Sequence, residues 1–325
     1  MKTTAKKLLC SFLAAATAFS FAACSSEVQE SDFDNPLPWH VSDASYERLE
    51  YGVAIYNTQK GEAEDKREQI ADGTLVFTLE EGVDQGHTRL SMDFSVTYRQ
   101  TELAGKDKGL TDTINSTVYF EPNSLSAREM QKTVTLADRE NTKNNSYTIT
   151  ADYFGTHKAT FNYFKQDGGQ KTRSLPRDAK HDNEMMFFLA RAQGLGKNAS
   201  SNFKMVNLFD TFNTGELKEY RMYVTCGSER KLDIGDFVKD FGIEAVTDND
   251  KTTYPVTCIA TTLKINDEKS GPAYTVLYAK DAFTQGEAKH KKLPVKIDYS
   301  SYNGSKPYRH TTYTLSACSF TKTAE

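Results

Sequence analysis

Residues that could do chemistry are plentiful in this chain, but few stand at spacings that specify a reaction. Six histidines, His40, His87, His157, His181, His290 and His310, are scattered along it. None falls in H-E-x-x-H or another metal-ligand spacing. His181 and Glu184 stand three apart, which could place both on one helix face. His181 precedes the residue expected to cap that helix, so a surface or capping role is the reading. Serine, histidine and aspartate are all abundant, yet no G-x-S-x-G elbow occurs. Asp248-Asn249-Asp250 starts like a calcium loop but lacks its glycine and distal glutamate, and reads as a turn. Glu80-Glu81 reads as a solvated strand end, and the charged residues 60–72 as a loop or edge guard. No catalytic residue, metal ligand or cofactor is expected from these patterns. Cys24, directly after Phe21-Ala22-Ala23, is the one residue whose surroundings point to a modification.

The surroundings of Cys24 begin with Lys2, Lys6 and Lys7, followed by an uncharged, mostly apolar run over residues 8–23. The run is short for a membrane span, which needs roughly 20 apolar residues, and its flanks are those of a secretory signal. Small residues before a cysteine resemble the lipobox of bacterial lipoproteins. That resemblance implies cleavage before Cys24 and diacylglyceryl attachment to its thiol. Phe21 stands where leucine is usual, which leaves ordinary signal cleavage near Ala22-Ala23 as the alternative. Two or more acyl chains anchor a protein stably, where one holds it weakly. Residues 1–23 are therefore read as signal peptide and 24–40 as a lipidated tether containing Glu27, Glu30, Asp32 and Asp34. The expected address is the cell envelope: the outer membrane, at its periplasmic face or the cell surface, where the host has one.

The remaining roughly 300 residues are ample for a large core. Net charge is −4 and there is no basic block, so nucleic acid is not an expected partner. Aromatics make up 11% of the chain, with 17 Tyr and 19 Phe, which suits β-sheet. Past Cys24, three cysteines remain: Cys226, Cys258 and Cys318. They read as buried small hydrophobes, or as one disulfide plus a free thiol.

Apolar residues alternate along most of the body. Leu49, Tyr51, Val53 and Ile55 share a face, as do Leu75, Phe77 and Leu79, and then Leu90, Met92, Phe94, Val96 and Tyr98. Period two with one wet face predicts antiparallel strands. Ala71-Asp72-Gly73 and Asp167-Gly168-Gly169 read as turns, and Asn303-Gly304 as part of a hairpin with a long loop. One helix is expected over 183–193, capped by Asp182 or Asn183. The crowded aromatics Tyr153, Phe154, Phe161, Tyr163 and Phe164 read chiefly as core. The prediction is an all-β fold: a long antiparallel meander of twelve to fourteen strands forming a large curved sheet or partial barrel. It divides into an N-terminal β half (41–165), a linker (166–182) and a C-terminal β half with its leading helix (183–321), which could be continuous.

Several segments resemble the bacterial envelope family called domain of unknown function 3108. Its opening E-x-L-x-Y strand resembles Glu47-Arg48-Leu49-Glu50-Tyr51. Its central helix resembles Asn183-Glu184-Met185-Met186-Phe187-Phe188-Leu189-Ala190-Arg191-Ala192. The cysteine strand resembles Tyr254-Pro255-Val256-Thr257-Cys258, and the closing element Asp281 with Leu293-Pro294-Val295-Lys296-Ile297. The resemblance implies an antiparallel β envelope protein and transfers no activity. The functional expectation is a non-enzymatic lipoprotein held to the membrane through Cys24, binding a lipid or other envelope ligand or supporting an envelope complex. A surface glycan-binding module is the alternative, and a hydrolase with a dispersed site the third reading.

Overall fold

A computed structural model describes residues 45–57, 67–136, 146–163, 169–193, 196–208, 217–265, 273–286, 288–303 and 306–321. The signal sequence, Cys24 and the tether lie outside the described residues, as does Phe164. Eight strands follow one another: β1 (Tyr46–Asn57), β2 (Gln69–Val83), β3 (His87–Tyr98), β4 (Thr111–Phe120), β5 (Ala127–Thr135), β6 (Ser146–Asp152), β7 (Lys158–Tyr163) and β8 (Gln170–Ser174). After a helical segment come β9 (Ser200–Val206), β10 (Glu219–Asp233), β11 (Val246–Asp248), β12 (Lys251–Thr253), β13 (Pro255–Ile265), β14 (Ala273–Ala279), β15 (Phe283–Gln285), β16 (Ala288–His290), β17 (Pro294–Asn303) and β18 (Lys306–Thr321).

Fourteen of these make one antiparallel sheet in the order β8-β7-β6-β5-β4-β3-β2-β1-β18-β17-β14-β13-β10-β9, while β11–β12 and β15–β16 are separate hairpins. The first and last strands pair in the middle of the sheet, Tyr51 opposite Leu315. The chain thus leaves the sheet at the β8 edge and re-enters at the β9 edge. Between the two it forms a 3-10 turn (Asn183–Met185) and an α-helix, α1 (Met186–Ala192). Asp182 caps the turn, its carboxylate accepting the Glu184 N–H at 2.8 Å. This is the expected use of Asp at a helix start.

The alternating stripes face inward as predicted: Leu49, Tyr51, Val53 and Ile55 are 1–6% exposed. The helix sits against that inner face. Phe187 meets Phe77 of β2 and Tyr274 of β14, and Phe188 meets Phe120 of β4. One short helix reaching strands in both halves requires the sheet to curve around it. The segment entering the helix ties the start of β5, an interior strand, to the edge strand β9. Ala127 N–H of β5 donates to Lys180 O, Val206 N–H of β9 donates to His181 O, and Asn183 Oδ1 accepts from Leu208 N–H.

Several local expectations are corrected. Gln170–Ser174 is a strand inside the segment read as linker, because its residues complete the ladder left open on β7. Ala71-Asp72-Gly73 is no turn but the inside of β2. A Cβ at Gly73 would sit 1.9 Å from Ser95 O, so glycine there serves a close approach of strands. Residues 69–72 of the expected charged loop likewise belong to β2. The β17 and β18 strands run to Asn303 and resume at Lys306, so their connection is short. Asp248-Asn249-Asp250 does turn, with Asn249 and Asp250 at φ 46° and 63° joining β11 to β12, as a tight hairpin requires. Cys226 and Cys258 are buried, Cys318 is half-buried, and all three are free, so the buried-hydrophobe reading describes the first two.

Candidate functional site

The helix start gathers a set of buried ionisable groups that sequence spacing did not connect. Glu184 accepts Lys132 Nζ of β5 at 2.6 Å and Ser116 Oγ of β4 at 2.9 Å, and both members of the ion pair are 2–4% exposed. Asp182 is fully buried and accepts the Tyr153 hydroxyl at 2.5 Å. Burial, and next the neighbouring Glu184 charge, push the Asp182 carboxyl up to about 7, against the pull of Tyr153, the Glu184 N–H and Lys132. At the other end of α1, Arg191 forms a two-point ion pair with Glu47 of β1, both 3% exposed, and its Nε donates to Lys291 O. These pairs satisfy the requirement that buried charge be paired and hydrogen-bonded. A cavity of about 30 Å³ lies between them, lined by Leu49, Phe77, Leu79, Phe187 and Phe188 with Glu47, Glu184 and Arg191 at its polar margins. That volume suits one or two waters.

Inward-facing aromatics continue from the helix along the sheet. Tyr51 contacts Phe77, Phe77 contacts Phe187, and Phe187 contacts Tyr274, which stacks on Tyr299 at 4.5 Å. Phe94 and Tyr313 meet at 6.4 Å. Phe94, Tyr274, Tyr299 and Tyr313 are only half-buried. All four occupy the inward positions of their strands, beyond the reach of α1 or at its margin.

On the outer face, β17 and β18 bring together a Ser–His–Asp line that the sequence did not reveal. Ser300 and His310 are cross-strand partners, with Ser300 Oγ 3.1 Å from His310 Nδ1. His310 Nε2 lies 3.3 Å from Asp298 Oδ1. Asp298 also accepts Thr312 Oγ1 and faces Lys296. These partners, His310 first, hold its carboxyl below the usual range despite the opposing effect of burial. The line can draw a proton from the Ser300 hydroxyl, but it runs in the reverse sense to the protease triad, in which Nε2 faces the serine and Nδ1 the aspartate.

No family model matches the chain, and no curated protein does. Among solved structures it is similar to the beta-barrel-like protein of domain of unknown function DUF1849 from Brucella abortus. The identity is 11%, the match covers 85% of this chain and 98% of that one, and the TM-score is 0.48.

His181 Nδ1 sits 3.0 Å from Leu125 O beside the seam between β5 and β9, and among the described residues no cluster of His, Cys, Asp or Glu could hold a metal. Among them, too, no helix is long and apolar enough to cross a membrane. Burial pushes the Cys258 and Cys318 thiols up to about 12, far from the reactive range. Of the crowded aromatics, Tyr153 and Phe161 are core at 3% and 1% exposed, whereas Phe154 is 69% exposed.

Proposed function

We propose that this protein is a non-enzymatic envelope lipoprotein, anchored through Cys24, whose curved sheet binds an apolar envelope ligand along its inner face. The observation that carries the reading is the half-buried set Phe94, Tyr274, Tyr299 and Tyr313. These four point inward, pair as Phe94–Tyr313 and Tyr274–Tyr299, and remain half-buried. Rings in that setting gain by taking apolar surface from water, at about 25 cal/mol per Å². The buried ion pairs at the helix leave no apolar surface there for such a ligand, which is placed away from them. The resemblance to domain of unknown function 3108 and the lipobox-like Phe21-Ala22-Ala23-Cys24 support an envelope address.

Native mass spectrometry of Ser25–Glu325, released from the bacterial envelope without detergent, tests the reading. An added apolar mass that is lost in Phe94→Ala/Tyr313→Ala supports it. A bare monomer, with no uptake from mixed phospholipid vesicles, refutes it.

The Ser300–His310–Asp298 line favours a second reading, a hydrolase acting through Ser300. A fluorophosphonate probe decides it. Stoichiometric labelling of Ser300 that His310→Ala abolishes supports hydrolysis, and an unlabelled serine at saturating probe removes it.

A further inference from the structure

The connection between β3 and β4 is longer than its task requires and does not stay over its own two strands. Residues 99–110 join neighbours that a hairpin loop of about two to five residues would serve. Their middle is a 3-10 segment, Glu102–Asp107, broken at Gly105, which sits at φ 60° and ψ −128°, a conformation left to glycine. Asp107 ends that segment, and its carboxylate accepts Arg309 Nη2 of β18 at 2.5 Å. In the sheet, β2 and β1 stand between β3 and β18. The loop therefore reaches across the ends of both as a strap.

The register fixes what lies beneath it. Tyr98, Ala71, Ile55 and Thr311 form one inward rung across β3, β2, β1 and β18, which continues through Tyr299 of β17 to Tyr274 of β14. A rung so near the strand ends would meet water if nothing covered it. Its first four members are nevertheless buried, whereas Tyr299 and Tyr274 are half-buried. The change falls where the strap ends. Ala104 and Asp107 of the strap are buried with the first four, and Leu103 is exposed on its outer side. Arg309 stands at the edge of the cover, where it also donates to the Tyr98 hydroxyl at 3.3 Å. The strap is bonded within itself: Glu102 accepts Lys108 Nζ at 2.6 Å, and the Ala104 and Lys108 N–H groups donate to Thr101 O and Gly105 O. Its base is held separately, by Arg99 N–H on Ile70 O and Gly109 N–H on Tyr98 O.

We propose that this strap is a gate on the inner face, latched by Asp107 and Arg309, beneath which an apolar ligand passes from Tyr274 and Tyr299 to Phe94 and Tyr313. The gate rests on the inner-face reading above. Tyr313 lies one rung deeper than Thr311, and Phe94 two rungs deeper than Tyr98. The Phe94–Tyr313 pair is thus behind the latch, and the Tyr274–Tyr299 pair beside it. The latch has the burial a releasable pair needs. Its side chains are 25% and 9% exposed, so water can take over from either partner. The pairs at the helix, Lys132–Glu184 and Glu47–Arg191, are 2–4% exposed, and parting them would strand buried charge. Opening of such a cover governs how fast a ligand enters and leaves.

The test uses the full chain carrying Cys24→Ser and Thr311→Cys, which puts a thiol under the strap. Alkylation of residue 311 by iodoacetamide in the native protein, read by peptide mass, reports opening and needs no ligand. Arg309→Met and Asp107→Asn are each expected to speed it about tenfold, the loss of one charge-assisted hydrogen bond, with Arg309→Lys closer to the parent rate. Alkylation of the buried Cys258 in the same samples reports unfolding and is expected to stay slow. Stopped-flow uptake of the apolar dye 1-N-phenylnaphthylamine, without Thr311→Cys, then reads passage. The two latch variants are expected to raise its association and dissociation rates together, about tenfold, and to leave its Kd unchanged. Residue 311 alkylated no faster in the latch variants, or faster only in step with Cys258, overturns the gate. Dye exchange at the parent rate despite faster alkylation overturns it too, because entry then takes another route. Faster alkylation with no dye uptake in any variant confirms that the strap opens and refutes the inner-face ligand instead.

Discussion

Asp182 gives the structure's sharpest quantitative consequence. Its carboxyl is fully buried at the seam joining β5 to β9 and lies beside Glu184, and its folded value is about 7 against about 3.9 in an unfolded chain. A carboxyl whose folded value is raised binds its proton more tightly when folded. The stability it contributes is therefore complete below pH ~4 and is lost as pH climbs through 7. At about 1.36 kcal/mol per unit, the full window corresponds to ~4 kcal/mol. This is opposite in sign to ordinary acid denaturation. Asp182→Asn removes the titration and keeps Oδ1 as acceptor for the Glu184 N–H, with its amide NH2 facing the Tyr153 hydroxyl oxygen, which can accept. Urea unfolding of both proteins at pH 4.5, 5.5, 6.5 and 7.5 isolates the group, because all other titrations cancel in the difference. Wild-type stability relative to the variant should fall by ~3 kcal/mol across that series and flatten above pH 7. A difference independent of pH, or one rising with pH, would show that the seam does not hold Asp182 as a destabilised anion.

Breaking the Glu47–Arg191 pair with Arg191→Met should cost about 3–5 kcal/mol by stranding a buried carboxylate, and Glu47→Gln/Arg191→Met together should recover much of it; a denaturant double-mutant cycle reads the coupling. Gly73→Ala, which drives a Cβ to 1.9 Å from Ser95 O, should lower the thermal midpoint by several degrees, an overpacking cost of about 1–3 kcal/mol. Gly52→Ala, on the neighbouring strand with nothing within 4 Å, should barely move it. Cys226, Cys258 and Cys318 should resist alkylation at pH 8 in the native protein and react together once urea unfolds it, since two of the thiols are pushed up to about 12 and only the thiolate attacks.

The sheet was legible in the sequence because its signal is local. Leu90, Met92, Phe94, Val96 and Tyr98 alternate without a break, and burial on one face leaves no other way to place them. The helix was legible from Asp182 and the run of helix formers after it. What escaped was whatever depends on partners far along the chain. Gly73 looks like a turn in isolation; only the approach of β3 shows that it is a bend inside a strand. Glu47 and Arg191 are 144 positions apart, and no periodicity links them. Ser300 and His310 are ten apart, but their pairing depends on a hairpin whose loop the sequence suggested was long. Phe154 was hidden among core aromatics. A hint was available in its setting, since an Asp-x-Phe-Gly-Thr stretch carries its own carboxylate-to-backbone turn, and a ring on such a turn tends to point outward.

The topology also sets where the proposed anchor stands relative to the inner face. In the proposed lipoprotein, 20 residues lie between Cys24 and the first described residue, Ser45, a reach of at most ~75 Å when extended. The tether meets the body at the start of β1, where Tyr46 pairs with both Glu80 and Thr321 and the next residue, Glu47, holds Arg191. The end of the body nearest the chain's entry is therefore the one that carries the Glu47–Arg191 pair. Val53, opposite Tyr313, lies seven residues farther along β1, roughly 23 Å at strand rise. Tyr274, Tyr299 and Tyr313 thus lie toward the far end of the strands. Lengthening the tether should leave binding of an apolar ligand unchanged, whereas moving the anchor to the β17–β18 turn should impair access to the inner face.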